Sequence, residues 1–238
     1  MAESYSLIID GTQVSASPGE NLDEAISRAG VTTPLICAHP ATTSEGLCRI
    51  CVVEIEGWRT LAPACVTKVA DGMVIHTDSD RVTRARRTIL EMLNASADLS
   101  AAPAIQDLLD EYHANRDRFP NVKQRKHELL DDNPFYLRDY EKCILCWRCV
   151  QACGNDLQFT YALSVGGRGY NSRISTFFDA PMPETTCVFC GNCVAVCPTN
   201  ALIGKTEFFL EQGLDYDQIR QEKRRSRQQQ RKEDSHGG

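Results

Sequence analysis

Twelve cysteines in three groups of four constrain this chain more than any other feature of its sequence. The chain begins without the basic and apolar stretches of a secretion signal, and no run approaches the roughly 18 to 20 apolar residues of a membrane span. We therefore expect a cytoplasmic protein that does not insert into membranes. Because cytoplasmic cysteines stay reduced, closely spaced ones predict metal binding rather than disulfide bonds.

The second and third cysteine groups form an internal repeat between residues 143 and 197. Both have the spacing Cys-x2-Cys-x2-Cys-x3-Cys, which is typical of bacterial ferredoxins, where the fourth cysteine of each run binds the other run's cluster. The spacing predicts two 4Fe-4S clusters. One set of ligands is Cys143, Cys146, Cys149 and Cys197, and the other is Cys187, Cys190, Cys193 and Cys153.

Structural zinc is the alternative for these two runs, because paired Cys-x2-Cys segments bind zinc tetrahedrally. A zinc ion needs only two such pairs, and two runs of four sulfurs exceed that need. Pro198 also follows the last cysteine, as in two-cluster ferredoxins, although Gly154 follows Cys153. The spacing therefore favours clusters over zinc.

The first cysteine group has the wider spacing of a plant-type 2Fe-2S site, in which a loop supplies the early thiolates and a distant segment supplies the last. The predicted ligands are Cys37, Cys48, Cys51 and Cys65. The first gap is ten residues rather than the four of plant ferredoxins. Two alternatives are a Rieske-type role for His39 and four buried structural cysteines without metal.

The residues before position 80 predict a small sheet on one helix. Residues 6–9, which are mostly apolar, precede the turn signal Asp10-Gly11. This pattern predicts a hairpin with a returning strand at residues 12–15. An apolar stripe beginning at Leu22 predicts a helix, with Asn21 and Glu24 as a capping box. Residues 49–56 and 73–76 predict two further strands.

The middle of the chain contains no cysteine. Apolar residues recur at helical spacing at residues 82–93 and again at 105–112, which predicts two helices. From residue 212 onward apolar periodicity is absent, and residues 218–238 hold seven Lys and Arg against three Asp and Glu. We expect a frayed helix or a disordered charged tail there, and the chain's net charge of −6 argues against nucleic-acid binding.

A family resemblance is carried by Cys37-Ala-His-Pro40, Gly46-Leu-Cys48-Arg-Ile-Cys51, Pro63-Ala-Cys65 and Val82-Thr-Arg-Ala-Arg-Arg87. These segments resemble the N-terminal region of the large iron-sulfur subunit of respiratory complex I. They are equally similar to the diaphorase iron-sulfur subunit of NAD-linked nickel-iron hydrogenases and to the N-terminus of NAD-linked formate dehydrogenases. The resemblance covers about residues 5 to 210.

This resemblance implies an α+β fold in four parts. They are a β-grasp 2Fe-2S ferredoxin domain (1–80), a helical linker (81–135), a bacterial-type two-cluster ferredoxin domain (136–211) and a charged tail (212–238). The relatives usually carry a further cluster site, made of one histidine and three cysteines, in the helical segment. Residues 93–105 contain neither His nor Cys, so we expect that cluster to be absent and His113 to be a surface residue.

The chain has no dinucleotide-binding or phosphate-binding glycine loop and no catalytic triad, so we expect no substrate active site of its own. We predict an electron-relay subunit with one 2Fe-2S and two 4Fe-4S clusters. The resemblance implies a flavin subunit that binds NADH, a thioredoxin-like 2Fe-2S subunit and a catalytic subunit.

Residues 178–198 are most similar to the branch of molybdenum or tungsten formate dehydrogenases, which makes such an enzyme the predicted catalytic partner. A nickel-iron hydrogenase is the near alternative. From other functional classes, the alternatives are a free ferredoxin-like carrier and a zinc-stabilised interaction protein.

Overall fold

A tight hairpin begins the described part of the chain, which covers residues 4–234 of this computed structural model. Strands β1 (Tyr5–Ile9) and β2 (Thr12–Ala16) pair antiparallel across Asp10 and Gly11, whose φ angles are +46° and +82°. Positive φ at both central residues is what a type I′ hairpin turn requires. The hairpin predicted from Asp10-Gly11 is confirmed.

The hairpin extends into a five-stranded mixed sheet. Strands β3 (Val52–Ile55), β4 (Ala62–Pro63) and β5 (Val74–His76) complete the order β2-β1-β5-β3-β4, in which only β1 and β5 are parallel. Helix α1 (Leu22–Arg28) contributes its apolar stripe to the same buried core. A mixed sheet packed on one helix is the β-grasp arrangement that the resemblance implied.

The start of α1 differs from its prediction. Asn21 occupies the N-cap position, but its side chain makes no capping hydrogen bond, so the predicted capping box is wrong. The backbone amides of Leu22 and Asp23 instead donate to the carbonyl oxygens of Thr67 (2.8 Å) and Ala64 (3.2 Å). The neighbouring loop therefore satisfies the helix end, which needs no capping side chain.

The two middle helices belong to the same compact unit as the sheet. Helix α2 (Asp80–Ser96) is capped by Ser79, whose hydroxyl accepts a hydrogen bond from the Val82 amide, and α3 (Pro103–Glu111) follows. Arg86 on α2 is buried and donates to the Val52 carbonyl of β3 at 2.9 Å. The chain divides at Lys123, so residues 124–135 of the predicted helical segment lie in the second unit.

The second unit has little regular structure. Its strands form two short antiparallel pairs, β6 (Tyr136–Arg138) with β9 (Leu202–Gly204) and β7 (Ser164–Gly166) with β8 (Arg173–Ser175). Short helices α4 (Arg148–Cys153), α5 (Asn192–Ala195) and α6 (Lys205–Glu211) lie between or after these strands. Four 3-10 turns occupy Tyr140–Lys142, Gly169–Asn171, Phe177–Asp179 and Met182–Glu184.

The charged tail forms a long helix, α7 (Tyr216–Asp234). Ile219 is only 4% exposed, so one apolar side chain fixes this otherwise polar helix to the second unit. Of the two predicted alternatives, a helix is therefore found as far as Asp234, and residues 235–238 lie outside the described residues. Between residues 4 and 234, no helix is long and apolar enough to cross a membrane.

Candidate metal centres

The pairing of two strands brings two cysteines of the N-terminal unit together. Cys51 directly precedes β3 and Cys65 follows β4, and these strands pair with Val52 opposite Pro63. The Sγ atoms of Cys51 and Cys65 consequently lie 3.4 Å apart. Both side chains are buried in the core of the unit.

A curled loop supplies the other two cysteines of this set. The amide of Cys48 donates to Cys37 Sγ at 3.5 Å, and Cys37 is 3% exposed. Gly46 has a φ of +63°, and a Cβ atom there would lie 3.0 Å from the Val66 side chain, so the turn is suited to glycine. The loop thereby folds two cysteines that are separated by ten residues onto one site.

His39 lies on this loop but has a structural use. Its Nδ1 atom accepts a hydrogen bond from the Ala41 amide at 3.1 Å, which fixes the ring within the turn. The four cysteines Cys37, Cys48, Cys51 and Cys65 converge without it. The geometry thus gives four sulfurs for the predicted 2Fe-2S site.

Protons are shared unevenly among these four sulfurs. Hydrogen bonds among these thiols lower the pKa of Cys37 and Cys51 and raise the pKa of Cys48 and Cys65. Four adjacent thiolates repel one another, so full deprotonation needs a compensating positive charge. A bound iron cluster would supply that charge.

The cysteines of the C-terminal unit line two small cavities. Cavity A is lined by Cys143, Cys146, Cys149 and Cys197, together with Tyr140, Ile144, Trp147, Ile174, Thr199, Ala201 and Leu202. Cavity B is lined by Cys187, Cys190, Cys193 and Cys153, together with Tyr136, Thr160, Leu163, Met182, Val188, Gly191 and Asn192. Each cavity combines three sulfurs of one run with the fourth sulfur of the other. The structure thus brings together the two predicted sets, and their binding of iron stays a prediction.

The two cysteine loops have the same backbone conformation. Leu145 and Trp147 in the first loop have φ angles of +56° and +66°, and the equivalent residues Phe189 and Gly191 have +54° and +79°. In each loop an amide donates to the first sulfur at 3.4 Å, from Leu145 to Cys143 and from Phe189 to Cys187. The internal repeat of the sequence is therefore repeated in the geometry.

The short helices after these loops explain why the fourth cysteine of each run lines the cavity of the other run. Cys149 lies in the first turn of α4, beside its own loop, whereas Cys153 ends that helix and lines the other cavity. The same holds for Cys193 in α5 and Cys197 beyond it. One helical segment thus places its two cysteines in different cavities.

Burial disfavours the ionised form of these thiols. It raises the pKa of Cys143 to about 11 and the pKa of Cys146 and Cys193 to about 12, and it raises the pKa of Cys149 well above its usual range. As free thiols they therefore stay protonated at neutral pH. Thiolate ligation here requires a strongly positive centre, and the lining of sulfur and apolar groups fits an iron-sulfur cluster.

Among residues 4–234, no group of three or more His, Cys, Asp or Glu side chains is spaced to hold one metal ion. Each C-terminal set instead surrounds a space, and all twelve cysteines are free of disulfide bonds.

Several contacts to sulfur were not predicted from the sequence. The Tyr136 hydroxyl lies 3.3 Å from Cys187 Sγ, and the Thr160 hydroxyl lies 3.4 Å from Cys153 Sγ. The Ala162 amide also donates to Cys153 Sγ at 3.2 Å. Tyr136 precedes Cys187 by 51 residues, so only the folded chain shows this contact.

Apolar side chains and an ion pair fill the segment in which we expect the additional cluster to be absent. Buried side chains there are Ala97, Leu99, Ala102, Ile105 and Leu109. Glu91 on α2 is also buried and accepts hydrogen bonds from the Arg118 side chain and the Asn115 amide. This packing gives the segment a core that contains no cysteine.

Two family models match the chain. Residues 2–80 match the 2Fe-2S iron-sulfur cluster binding domain, and residues 142–201 match the 4Fe-4S dicluster domain. The first contains the sulfurs of the N-terminal unit, and the second contains those of both cavities. The cluster types predicted from cysteine spacing are those of the matching domains.

Three relatives are similar to most of the chain. The NADP-reducing hydrogenase subunit HndD of Solidesulfovibrio fructosivorans is 34% identical over 83% of this chain and 36% of its own length. The mitochondrial NADH-ubiquinone oxidoreductase 78 kDa subunit of Candida albicans is 32% identical over 84% of this chain and 28% of its own. A Staphylococcus haemolyticus protein assigned to formate dehydrogenase is 29% identical over 85% and 21%. The chain thus spans about a fifth to a third of these relatives.

A solved structure is similar over most of both chains. It is a chain of the NAD+-reducing [NiFe]-hydrogenase in the H2-reduced state, with a TM-score of 0.77 and 28% sequence identity. The match covers 85% of this chain and 88% of that chain. The two chains therefore share their fold over most of their length.

Proposed function

The chain is an iron-sulfur protein with a 2Fe-2S domain and a 4Fe-4S dicluster domain, and from this premise we propose that it relays electrons within an NAD(H)-linked oxidoreductase complex. The observation that carries the proposal is the arrangement of sulfurs. Eight cysteines line two cavities in sets of four, and four more converge in the N-terminal unit.

The proposed cofactors are one 2Fe-2S cluster and two 4Fe-4S clusters. The ligands are Cys37, Cys48, Cys51 and Cys65 for the first, the cysteines of cavity A for the second and those of cavity B for the third. When bound, such clusters accept and donate single electrons. The protein makes and breaks no substrate bonds in this proposal.

The residues of this chain hold the sulfurs and control their surroundings. Cys51 and Cys65 are at most 1% exposed, which excludes water from one side of the N-terminal site. In cavity A, Trp147 and Ile174 supply an apolar wall, and the Leu145 amide donates to sulfur. Burial and hydrogen bonds to sulfur are the means by which a protein sets a cluster's reduction potential.

The proposed partners are a flavin subunit that binds NADH, a thioredoxin-like 2Fe-2S subunit and a catalytic subunit, all in the cytoplasm. The similarity to complex I, hydrogenase and formate dehydrogenase proteins supports a place in a complex of this kind. For the catalytic subunit, the sequence of residues 178–198 supports a molybdenum or tungsten formate dehydrogenase.

The second candidate for the catalytic partner is a nickel-iron hydrogenase. The observation that favours it is the match to a chain of the NAD+-reducing [NiFe]-hydrogenase, which extends over 88% of that chain. The identity to the hydrogenase subunit HndD, 34%, also exceeds the 29% to the formate dehydrogenase relative, which supports a hydrogenase partner without specifying its metal. Substrate assays separate the two candidates.

The first experiment measures metal in anaerobically purified protein. We expect about ten iron atoms per chain with matching acid-labile sulfide, and EPR signals of both cluster types after reduction. Cys48→Ser is expected to remove the 2Fe-2S signal and leave the 4Fe-4S signals. A colourless protein with two or three zinc ions per chain would support the zinc-stabilised interaction protein instead.

The second experiment measures activity of the complex purified anaerobically through this chain. NAD reduction that depends on formate supports the formate dehydrogenase partner, and reduction that depends on hydrogen supports the hydrogenase. A stable monomer with reversible redox activity and neither reaction would favour the free carrier. Turnover of formate or hydrogen by the isolated chain would contradict a relay without an active site.

A further inference from the structure

Each cavity of the C-terminal unit has one buried tyrosine, and the two hydroxyls have different partners. Tyr136, 2% exposed, lines cavity B, and its hydroxyl contacts Cys187 Sγ at 3.3 Å. Tyr140, 3% exposed, lines cavity A, but its hydroxyl accepts a hydrogen bond from Arg138 Nη1 at 3.4 Å. Only one of these two tyrosines therefore bonds to a cysteine sulfur.

Tyr136 is held rigidly in this position. Its amide donates to Asn133 Oδ1 at 3.0 Å, and its carbonyl accepts from the Asn133 side chain at 3.0 Å. Its ring lies 6.3 Å from that of Phe189, at 48° to it. Because backbone and ring are both fixed, the hydroxyl keeps its direction towards sulfur.

The remaining hydroxyl contacts increase the difference between the cavities. In cavity B, Thr160 lies 3.4 Å from Cys153 Sγ, although its hydroxyl also reaches the Cys153 carbonyl at 3.5 Å. In cavity A, the Thr199 hydroxyl is farther from Cys197 Sγ, at 3.8 Å. The loop amide bond of 3.4 Å is the same in both, so it does not distinguish them.

A cation lies beside one cysteine of cavity A, although it does not line the cavity itself. The Arg125 guanidinium donates to the Cys143 carbonyl at 3.0 Å. A positive charge nearby stabilises any added negative charge at longer range than a hydroxyl does. The cysteine loops of the two cavities thus have the same geometry, but the polar groups near them differ.

We infer that the Tyr136 hydroxyl is a positioning group that raises the reduction potential of the cluster in cavity B alone. The inference rests on the proposed function, since it concerns a cluster bound by Cys187. A sulfur bound to iron can only accept, so the Tyr136 hydroxyl must donate. An electron taken up from a reductant increases the negative charge on sulfur, and a donated hydrogen bond stabilises that charge without any bond to a substrate.

The test compares Tyr136→Phe with Tyr140→Phe in the whole, cluster-loaded protein. Both variants remove one buried hydroxyl and keep the ring, but only the first removes a bond to sulfur. The readout is a redox titration with dithionite followed by EPR, alongside iron and sulfide content.

At fixed ambient potential, Tyr136→Phe is expected to lower the ratio of reduced to oxidised cluster about threefold to tenfold for one 4Fe-4S signal. Tenfold corresponds to about 59 mV for a one-electron couple. The 2Fe-2S signal and the other 4Fe-4S signal should keep their potentials, and Tyr140→Phe should leave the affected signal unchanged.

Unchanged potentials in Tyr136→Phe with full iron content would overturn the inference. An equal shift in Tyr140→Phe would also overturn it, because the sulfur contact would then not be the cause. Loss of about four iron atoms in Tyr136→Phe would assign the hydroxyl to cluster assembly and likewise overturn it. Absence of iron from the unmodified protein would instead refute the proposed function.

Discussion

The two units of the chain hold cysteine sulfurs in opposite ways. In the N-terminal unit two of the four sulfurs lie next to strand ends of a five-stranded sheet, and these two cysteines are among fifteen buried residues of the core. In the C-terminal unit, cysteines form three of ten buried core residues, and three more pack partly buried against them. In the first unit the cysteines are a small part of an apolar core. In the second unit the cysteines are a large part of the core.

The two units should depend on bound metal to different degrees for their folding. The apolar core of the N-terminal unit comes mainly from its sheet and helix, and the loop that carries Cys37 and Cys48 adds only Ala38 to it. The C-terminal unit has two short strand pairs and two cavities in its interior. Where a site is absent from the unfolded chain, metal binding energy becomes folding energy, so iron should stabilise the second unit far more.

The largest expected effect is that of removing iron. Chelating the iron of the whole protein under anaerobic conditions should increase the rate of amide hydrogen exchange in residues 136–204 about a thousandfold. This change corresponds to a loss of about 4 kcal/mol of local stability. Strands β1, β3 and β5 should keep their protection. Peptide-resolved hydrogen exchange measures both units at once. An equal loss of protection in the two units would contradict a greater dependence of the C-terminal unit on iron.

The next effect tests the exchange of the fourth cysteine between cavities. If each cluster takes three sulfurs of one run and one of the other, then Cys153→Ser and Cys187→Ser act on the same cluster. The double variant Cys153→Ser, Cys187→Ser should then lose about four iron atoms and retain the other 4Fe-4S signal.

The matched control pairs the fourth cysteine with its own run. Cys143→Ser combined with Cys153→Ser removes a ligand from each cavity and should lose about eight iron atoms and both 4Fe-4S signals. Both double variants remove two cysteines, so general damage affects them equally. The reverse pattern of iron loss would show that each run binds its own cluster.

The smallest effect concerns the cysteine loop of cavity B. Gly191 has a φ of +79°, and Gly191→Ala should destabilise the C-terminal unit by about 1 kcal/mol because a side chain disfavours this conformation. Gly204→Ala is the control, since its φ is −63° and no atom lies within 4 Å of the added Cβ. Anaerobic thermal unfolding followed by cluster absorbance would contradict this expectation if both variants unfolded at the same temperature.

Much of this organisation was predictable from local sequence. Cysteine spacing predicted which four sulfurs share each C-terminal cavity, because a short loop and one helical segment determine where those residues lie. Asp10-Gly11 predicted the hairpin, since few residues adopt positive φ in succession. Features that depend on a few neighbouring residues could therefore be predicted from the sequence.

Features that depend on distant residues were not predictable. The capping of α1 failed because Ala64 and Thr67, about forty residues away, satisfy its amides in place of Asn21. The contact of Tyr136 with Cys187 depends on the pairing of β6 with β9. Ile219 also fixes α7 although its sequence lacks an apolar stripe. In each case tertiary packing decided the outcome.

The antiparallel pairing of Tyr136–Arg138 with Leu202–Gly204 places the two ends of the cysteine-rich segment side by side. Residues 139–201 therefore begin and end at neighbouring positions of one strand pair. Because these ends are adjacent, a change in the length of the intervening segment would leave the two strands in register.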